Sequence, residues 1–270
     1  MIPTDVIPKI TERFATIDRP VKIDFFDQLE TQLQVPGRRP CPSCLPAREM
    51  IEQLAGLNDY IELRSHDFHT DTVQVKKWHA ERIPALVIHG EVNRPVRLYG
   101  FPGGAFLPFL VDMIVAASKP PPTLPQDLKS AIKKLRDPVR VRVLGSMQHP
   151  HSAQAAATAF GLALLSDKID ASAFVIEDSP DIAMQLQLSR IPLTLVNDLR
   201  GFGGVTSAQG LAQFCLNMQT GPDEAASPPI IPGSMVIIEP PAPPQPPQSG
   251  PGPAKPEPRR TPGGIILPGQ

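Results

Sequence analysis

The sequence predicts an α/β chain of two tandem units, each a central mixed β-sheet flanked by helices, followed by a disordered proline-rich tail. Three observations carry that expectation. One order of apolar strand, turn, helix and strand runs twice along the chain. Within each copy strand-type runs alternate with helix-type runs, which implies parallel pairing through crossover helices. And 16 of the 35 prolines fall in the last fifty of 270 residues.

The first copy opens with a short helix in DVIPKITERFATI and a strand over Val21–Phe26. The turn CPSC (Cys41–Cys44) then starts a helix, because a proline in the first helical turn lacks only an N–H that would have been unpaired there. A strand over Tyr60–Arg64 and a helix over Thr70–Glu81 follow. Ile83-Pro84 opens the next strand, a shorter strand follows, and an amphipathic helix over Ala105–Ala117 closes the unit. The second copy repeats these parts: a helix in LPQDLKSAIKKLR, strand Val139–Leu144, the turn HPHS, strand Ala171–Glu177, helix Pro180–Leu188, Ile191-Pro192, and a closing helix over Val205–Met218. Cys41 precedes Pro84 by 43 residues, and His149 precedes Pro192 by the same 43. LYGFPGG and LRGFGG match before the closing helices. About ten extra residues, within the stretch DQLETQLQVPGRR, precede CPSC in the first copy. The units are placed at 1–120 and 121–220, and the tail at 221–270.

The tail is too poor in large apolar residues to offset the entropy of ordering, and its prolines remove backbone donors. Two apolar islands, Ile230–Ile238 and Gly263–Gly269, interrupt it. Each reads as linker, or as a docking peptide for a partner's groove.

Composition narrows the function class. A net charge of −1, with basic and acidic residues mixed, gives no electrostatic case for nucleic acid or an anionic membrane. No run of eighteen apolar residues and no signal-peptide pattern occurs, so a cytoplasmic protein is expected. Three cysteines are too few for a disulfide-stapled scaffold.

Cys41 and Cys44 could form a redox couple, half a zinc site, or a pair of buried thiols. Zinc would need two further ligands at metal spacing, and His66, His69, His79 and His89 are scattered. The HPHS copy decides among these: the frame persists there without sulfur, so the cysteines are not needed for structure. His149, His151 and Ser152 then read as a degenerate turn kept as scaffold. Cys215, inside LAQFCLNM, reads as a small buried hydrophobe, and Trp78 as packing.

CPSC at a strand-to-helix turn, Ile-Pro 43 residues on, and Gly-Phe before a Gly-Gly turn resemble the thioredoxin/glutaredoxin superfamily. The duplication is similar to the glutaredoxin-like protein disulfide oxidoreductases, which fuse two thioredoxin folds. That resemblance covers about 1–219 and implies protein disulfide oxidoreductase activity through one redox-active disulfide, Cys41–Cys44. Cys41 would be the nucleophile, favoured as thiolate at a helix N-terminus with Arg38 and Arg39 nearby, and Cys44 the resolving thiol. Pro84 would be the cis-proline facing them, with Ile83, Pro42 and Ser43 contacting substrate. Asp24 stands where thioredoxins carry a buried acid that takes the resolving cysteine's proton. No separate cofactor is implied, although some relatives hold an iron–sulfur cluster with glutathione. The expected partners are protein disulfides, with a thioredoxin reductase-like flavoprotein or glutathione as electron donor. The alternative is a docking adaptor, in which the silent second unit and the tail bind a partner.

Overall fold

The computed structural model describes residues 2–28, 40–90, 94–221 and 226–238. The first half runs α1 (Ile7–Phe14), β1 (Val21–Asp27), α2 (Cys44–Ala55), β2 (Ile61–Asp67), α3 (Thr72–Trp78), β3 (Ala85–His89), β4 (Val96–Tyr99) and α4 (Phe106–Ala117). The second runs α5 (Gln126–Lys134), β5 (Val139–Gly145), α6 (Pro150–Leu165), β6 (Ile169–Val175), a 3-10 turn (Ile176–Asp178), α7 (Pro180–Gln185), β7 (Arg190–Ile191), β8 (Leu193–Val196), β9 (Arg200–Gly203) and α8 (Ala208–Thr220), with β10 (Val236–Ile237) beyond it.

Eight strands form one mixed sheet in the order β2-β1-β3-β4-β6-β5-β8-β9. Within each half the first two strands pair parallel, and the later hairpin adds antiparallel: β1 with β2 and β3, then β5 with β6 and β8. The halves meet where β4 pairs parallel with β6, from Arg97 opposite Ser172 to Tyr99 opposite Phe174. This junction makes one sheet of two.

Strand alternation sorts β1 between two layers. Val21, Ile23 and Phe25 join the large core with Ala47, Met50, Ile51 and Leu54 of α2, whereas Phe26 joins the opposite layer with Trp78, Val87 and Tyr99. The large core continues into the second half, where small residues of α6 (Ala155, Ala156, Ala159) sit deep in it and Phe109 of α4 meets Phe160 edge-on at 5.2 Å. Burying each such aromatic stabilises the fold by roughly 1.5–3 kcal/mol. Truncating Phe160 to Ala, which opens a cavity between the halves, costs about 3–5 kcal/mol.

Helix α7 stops at Gln185 rather than at 188, where Leu188 N–H closes on the Ala183 carbonyl, and three further expectations change. Helix α3 stops at Trp78 rather than at 81, because His79 takes φ 52° and Ala80 N–H closes the turn on the Val75 carbonyl. α8 begins at Ala208 rather than at 205, where Ser207 caps it by accepting the Gly210 N–H. The third concerns the tail. Residues 226–238 pack onto the second half: Ser234 is fully buried and accepts the Val205 N–H, Ile231 N–H donates to the Val205 carbonyl, and Val236 of β10 pairs with Ile191. The Ile230–Ile238 island thus finds apolar partners and an open strand edge within its own chain, a compensation that proline content does not reveal. Residues 239–270, with the second island Gly263–Gly269, lie outside the described residues. Among the described residues no helix is long and apolar enough to cross a membrane.

Candidate redox site

Beyond the end of β1 the chain returns at Pro40 into a turn, in which Cys44 N–H donates to the Cys41 carbonyl at 3.1 Å. Helix α2 begins at Cys44, so Pro42 occupies this turn rather than the first helical turn expected for it. Cys41 and Cys44 form a disulfide with their Cα atoms 5.4 Å apart. Cys44 is buried and Cys41 is half-buried, so an incoming group reaches the first sulfur and not the second. Arg38 and Arg39 lie outside the described residues.

A groove of about 580 Å³ opens beside Cys41. Cys41, Pro42, Ser43 and Ile83 line it from the first half, and Asp178 and Asp181 from the second. The Ile83-Pro84 peptide is cis, and among the described residues no backbone hydrogen bond engages Ile83. Pro84 itself is anchored through its carbonyl, which accepts the Gly100 N–H at 2.9 Å.

The second half's contribution has no counterpart in the sequence expectations. Asp178 accepts from the Ser43 hydroxyl inside the CPSC turn and from the Phe101 N–H at 2.6 Å. Gly100, at φ 102°, permits that approach, since a Cβ there would meet Val175 at 2.7 Å and the Asp178 carboxylate at 3.1 Å. Asp181 pairs with Arg82 at 3.1 Å, and the hydrogen bond from that guanidinium holds its carboxyl below the usual value. These contacts depend on the β4–β6 junction. No local spacing announces it.

Asp24 is buried in β1, but it shares a face with Phe26 and the Trp78 layer, opposite the face that carries α2. Its carboxylate takes His66 Nε2 at 2.7 Å and His89 Nε2 at 2.9 Å. Burial raises its pKa, and the His89 and His66 hydrogen bonds outweigh burial, so the net direction is down. The structure therefore does not bring Asp24 together with Cys44, as the sequence expectation required. The carboxylate on α2's side is Asp27, held by Arg48 Nε at 2.8 Å and Nη2 at 2.6 Å. Burial pushes the Asp27 carboxyl up against the opposing effect of Arg48.

In the second half the same frame holds different groups. Ser152 N–H donates to the His149 carbonyl at 2.9 Å, and the Pro192 carbonyl accepts the Gly204 N–H at 2.8 Å after a cis Ile191-Pro192 peptide. Ser152 is fully buried and accepts the Ser146 N–H, a structural bond. The edge at Ile191, which matches Ile83, is taken by Val236 of β10. Cys215 is buried, and burial pushes its thiol up to about 12. Among the described residues no group of three His, Cys, Asp or Glu is placed to hold a metal ion.

No family model matches this chain, and no curated protein does. Solved structures do match its fold. The N-terminal domain of the alkylhydroperoxide reductase AhpF from Enterococcus faecalis superposes with a TM-score of 0.69 at 15% identity, over 79% of this chain and 99% of that one. A protein disulfide oxidoreductase from Aeropyrum pernix superposes with a TM-score of 0.69 at 18% identity, over 81% of this chain and 94% of that one. The shared feature is the thioredoxin-type arrangement of sheet and helices, carried through both halves.

Proposed function

We propose that this chain is a thiol–disulfide oxidoreductase acting on protein disulfides through Cys41 and Cys44. The observation that carries the reading is a disulfide with one accessible sulfur, at the start of a twelve-residue helix and beside a backbone edge at Ile83 that no described residue pairs with. In the reduced protein the α2 N-terminus favours the Cys41 thiolate. That thiolate attacks one sulfur of a substrate disulfide, forming a mixed disulfide and expelling the substrate's other thiolate. The Cys44 thiolate then attacks the Cys41 sulfur, releasing the second substrate thiolate and restoring Cys41–Cys44. Two electrons pass to the substrate, whose backbone can pair along Ile83 while Pro42 and Ser43 contact its flank.

The residues fall into a catalytic unit over 1–120 and a silent unit over 121–220. A reductase role fits a reducing compartment, the cytoplasm, with recharging by a thioredoxin reductase-like flavoprotein or by glutathione. The likeness to part of an alkylhydroperoxide reductase supports a peroxide-reducing system as the setting. The adaptor reading is weaker, because the second unit's matching edge is filled by the chain's own β10.

The test is insulin-disulfide reduction by the full chain with a thiol reductant. The expected result is catalysis above the reductant alone, abolished in Cys41→Ser. A wild-type rate equal to the reductant alone would overturn the proposal.

A further inference from the structure

Far from the disulfide, the start of β1 opens on a second cavity of about 730 Å³. Its charged lining is cationic: Arg19, Lys22, Arg64 and Lys77, with no carboxylate among the described lining residues. Register explains the convergence. Lys22 lies opposite His89 on β3, and Arg64 of β2 lies opposite Asp24, which places Lys22, Arg64 and His89 on the face that carries α3. Helix α3 has only seven residues, and this part of the face is left open.

The nearby carboxylates are already bonded, Glu62 and Asp24 to groups of the cavity itself and Asp18 away from it. Glu62 is bonded to Arg64, Asp24 to His66 and His89, and Asp18 to Lys119. Among the described residues Lys22 has no ion-pair partner. Trp78 lines the cavity at 5% exposure, and among the described residues its buried indole Nε1–H has no acceptor. A buried donor without an acceptor is costly, and it leaves the wall of the cavity without an internal anchor for the indole.

The ring of Trp78 is already in use. Lys77 Nζ lies 4.3 Å from its centroid and the His89 ring lies 4.5 Å away. A base or sugar ring stacked on the indole is therefore not what the site offers. Charge and N–H donors are, and that combination suits a polyvalent oxyanion.

We propose that this pocket binds a small phosphate anion, the diphosphate or triphosphate part of a soluble molecule. It lies beyond one end of β1 and the disulfide beyond the other, roughly 20 Å apart at about 3.3 Å per strand residue. The site is independent of the redox reading.

Trp78 is the chain's only tryptophan, so its fluorescence reports the pocket directly. Pyrophosphate is titrated into the full chain at constant ionic strength against chloride, with calorimetry in parallel. The expected result is a saturable response to pyrophosphate alone, with affinity reduced about ten-fold or more in Lys22→Ala and in Arg64→Ala, both retaining the wild-type circular dichroism. Silence in both measurements, an unchanged midpoint in both cation variants, or binding seen only with RNA or anionic vesicles would overturn the proposal.

Discussion

The two halves share one strand order and differ at one edge. In the first half no described residue pairs with the backbone at Ile83, and an oxidised dithiol stands beside it; in the second the backbone at Ile191 is paired with Val236, and His149 and Ser152 stand where the sulfurs would be. The glycine before each closing helix shows the same contrast. Gly100 admits the Asp178 carboxylate from the other half, and Gly204 admits Ile230 and Ser234, with Ile230 2.6 Å from where its Cβ would lie. Each unit is completed by the segment that follows it. Among the described residues that segment reaches the edge in the second half alone, where His149 and Ser152 replace the cysteines. Under the proposed function, the half with the open edge is the exchange centre and the half with the closed edge is its wall.

The largest expected effect comes from exchanging the chemistry without the edge. His149→Cys with Ser152→Cys, made in a Cys41→Ser background, should leave insulin reduction at the level of the reductant alone, because β10 still covers Ile191. Substantial activity would mean that the edge is irrelevant and that cysteine content alone separates the halves.

Next is the strap itself. Val236→Pro removes a ladder hydrogen bond and should destabilise the full chain by about 1–3 kcal/mol in urea unfolding, while insulin reduction below the transition stays near wild type. A fall in activity as large as that of Cys41→Ser would show that the second half's edge takes part in exchange.

A smaller effect belongs to Asp24, the carboxylate that serves packing rather than sulfur. Its folded pKa is depressed, so its contribution is complete above the ordinary value of 3.8 and is lost as pH falls through the lower folded value. Asp24→Asn should cost about 1–3 kcal/mol near pH 7, and the difference from wild type should shrink as pH drops below about 4. A pH-independent difference would contradict the assigned bonds to His66 and His89. Smallest of all is Asp181→Asn, which removes an exposed pair with Arg82 and should change stability by no more than about 1 kcal/mol.

Most of the frame was legible in the residues because it is local. Apolar runs mark β1 and β5, and the equal distance from Cys41 to Pro84 and from His149 to Pro192 marks the matching turns. Three features were not legible, each for the same physical reason. Asp178 meets Ser43 across 135 residues, β10 meets β7 across more than forty, and Asp24 faces away from α2 because of a one-residue parity in β1. Strand parity was available in principle: Asp24 shares it with Phe26, and Asp27 shares it with Phe25. The insertion before CPSC hides which carboxylate stands nearest the turn. The packed segment 226–238 misleads differently, since its prolines suggest an open chain while Ile230, Ser234 and Val236 find partners on a finished surface.

In the proposed function Cys41 attacks and Cys44 resolves. The most direct measurement is trapping with Cys44→Ser in the full chain, followed by non-reducing separation and mass spectrometry of the linked species. The expected result is a stable mixed disulfide between Cys41 and a protein thiol, dissolved by reductant and absent in Cys41→Ser with Cys44→Ser. No adduct at Cys41, or an adduct through Cys215 instead, would contradict it.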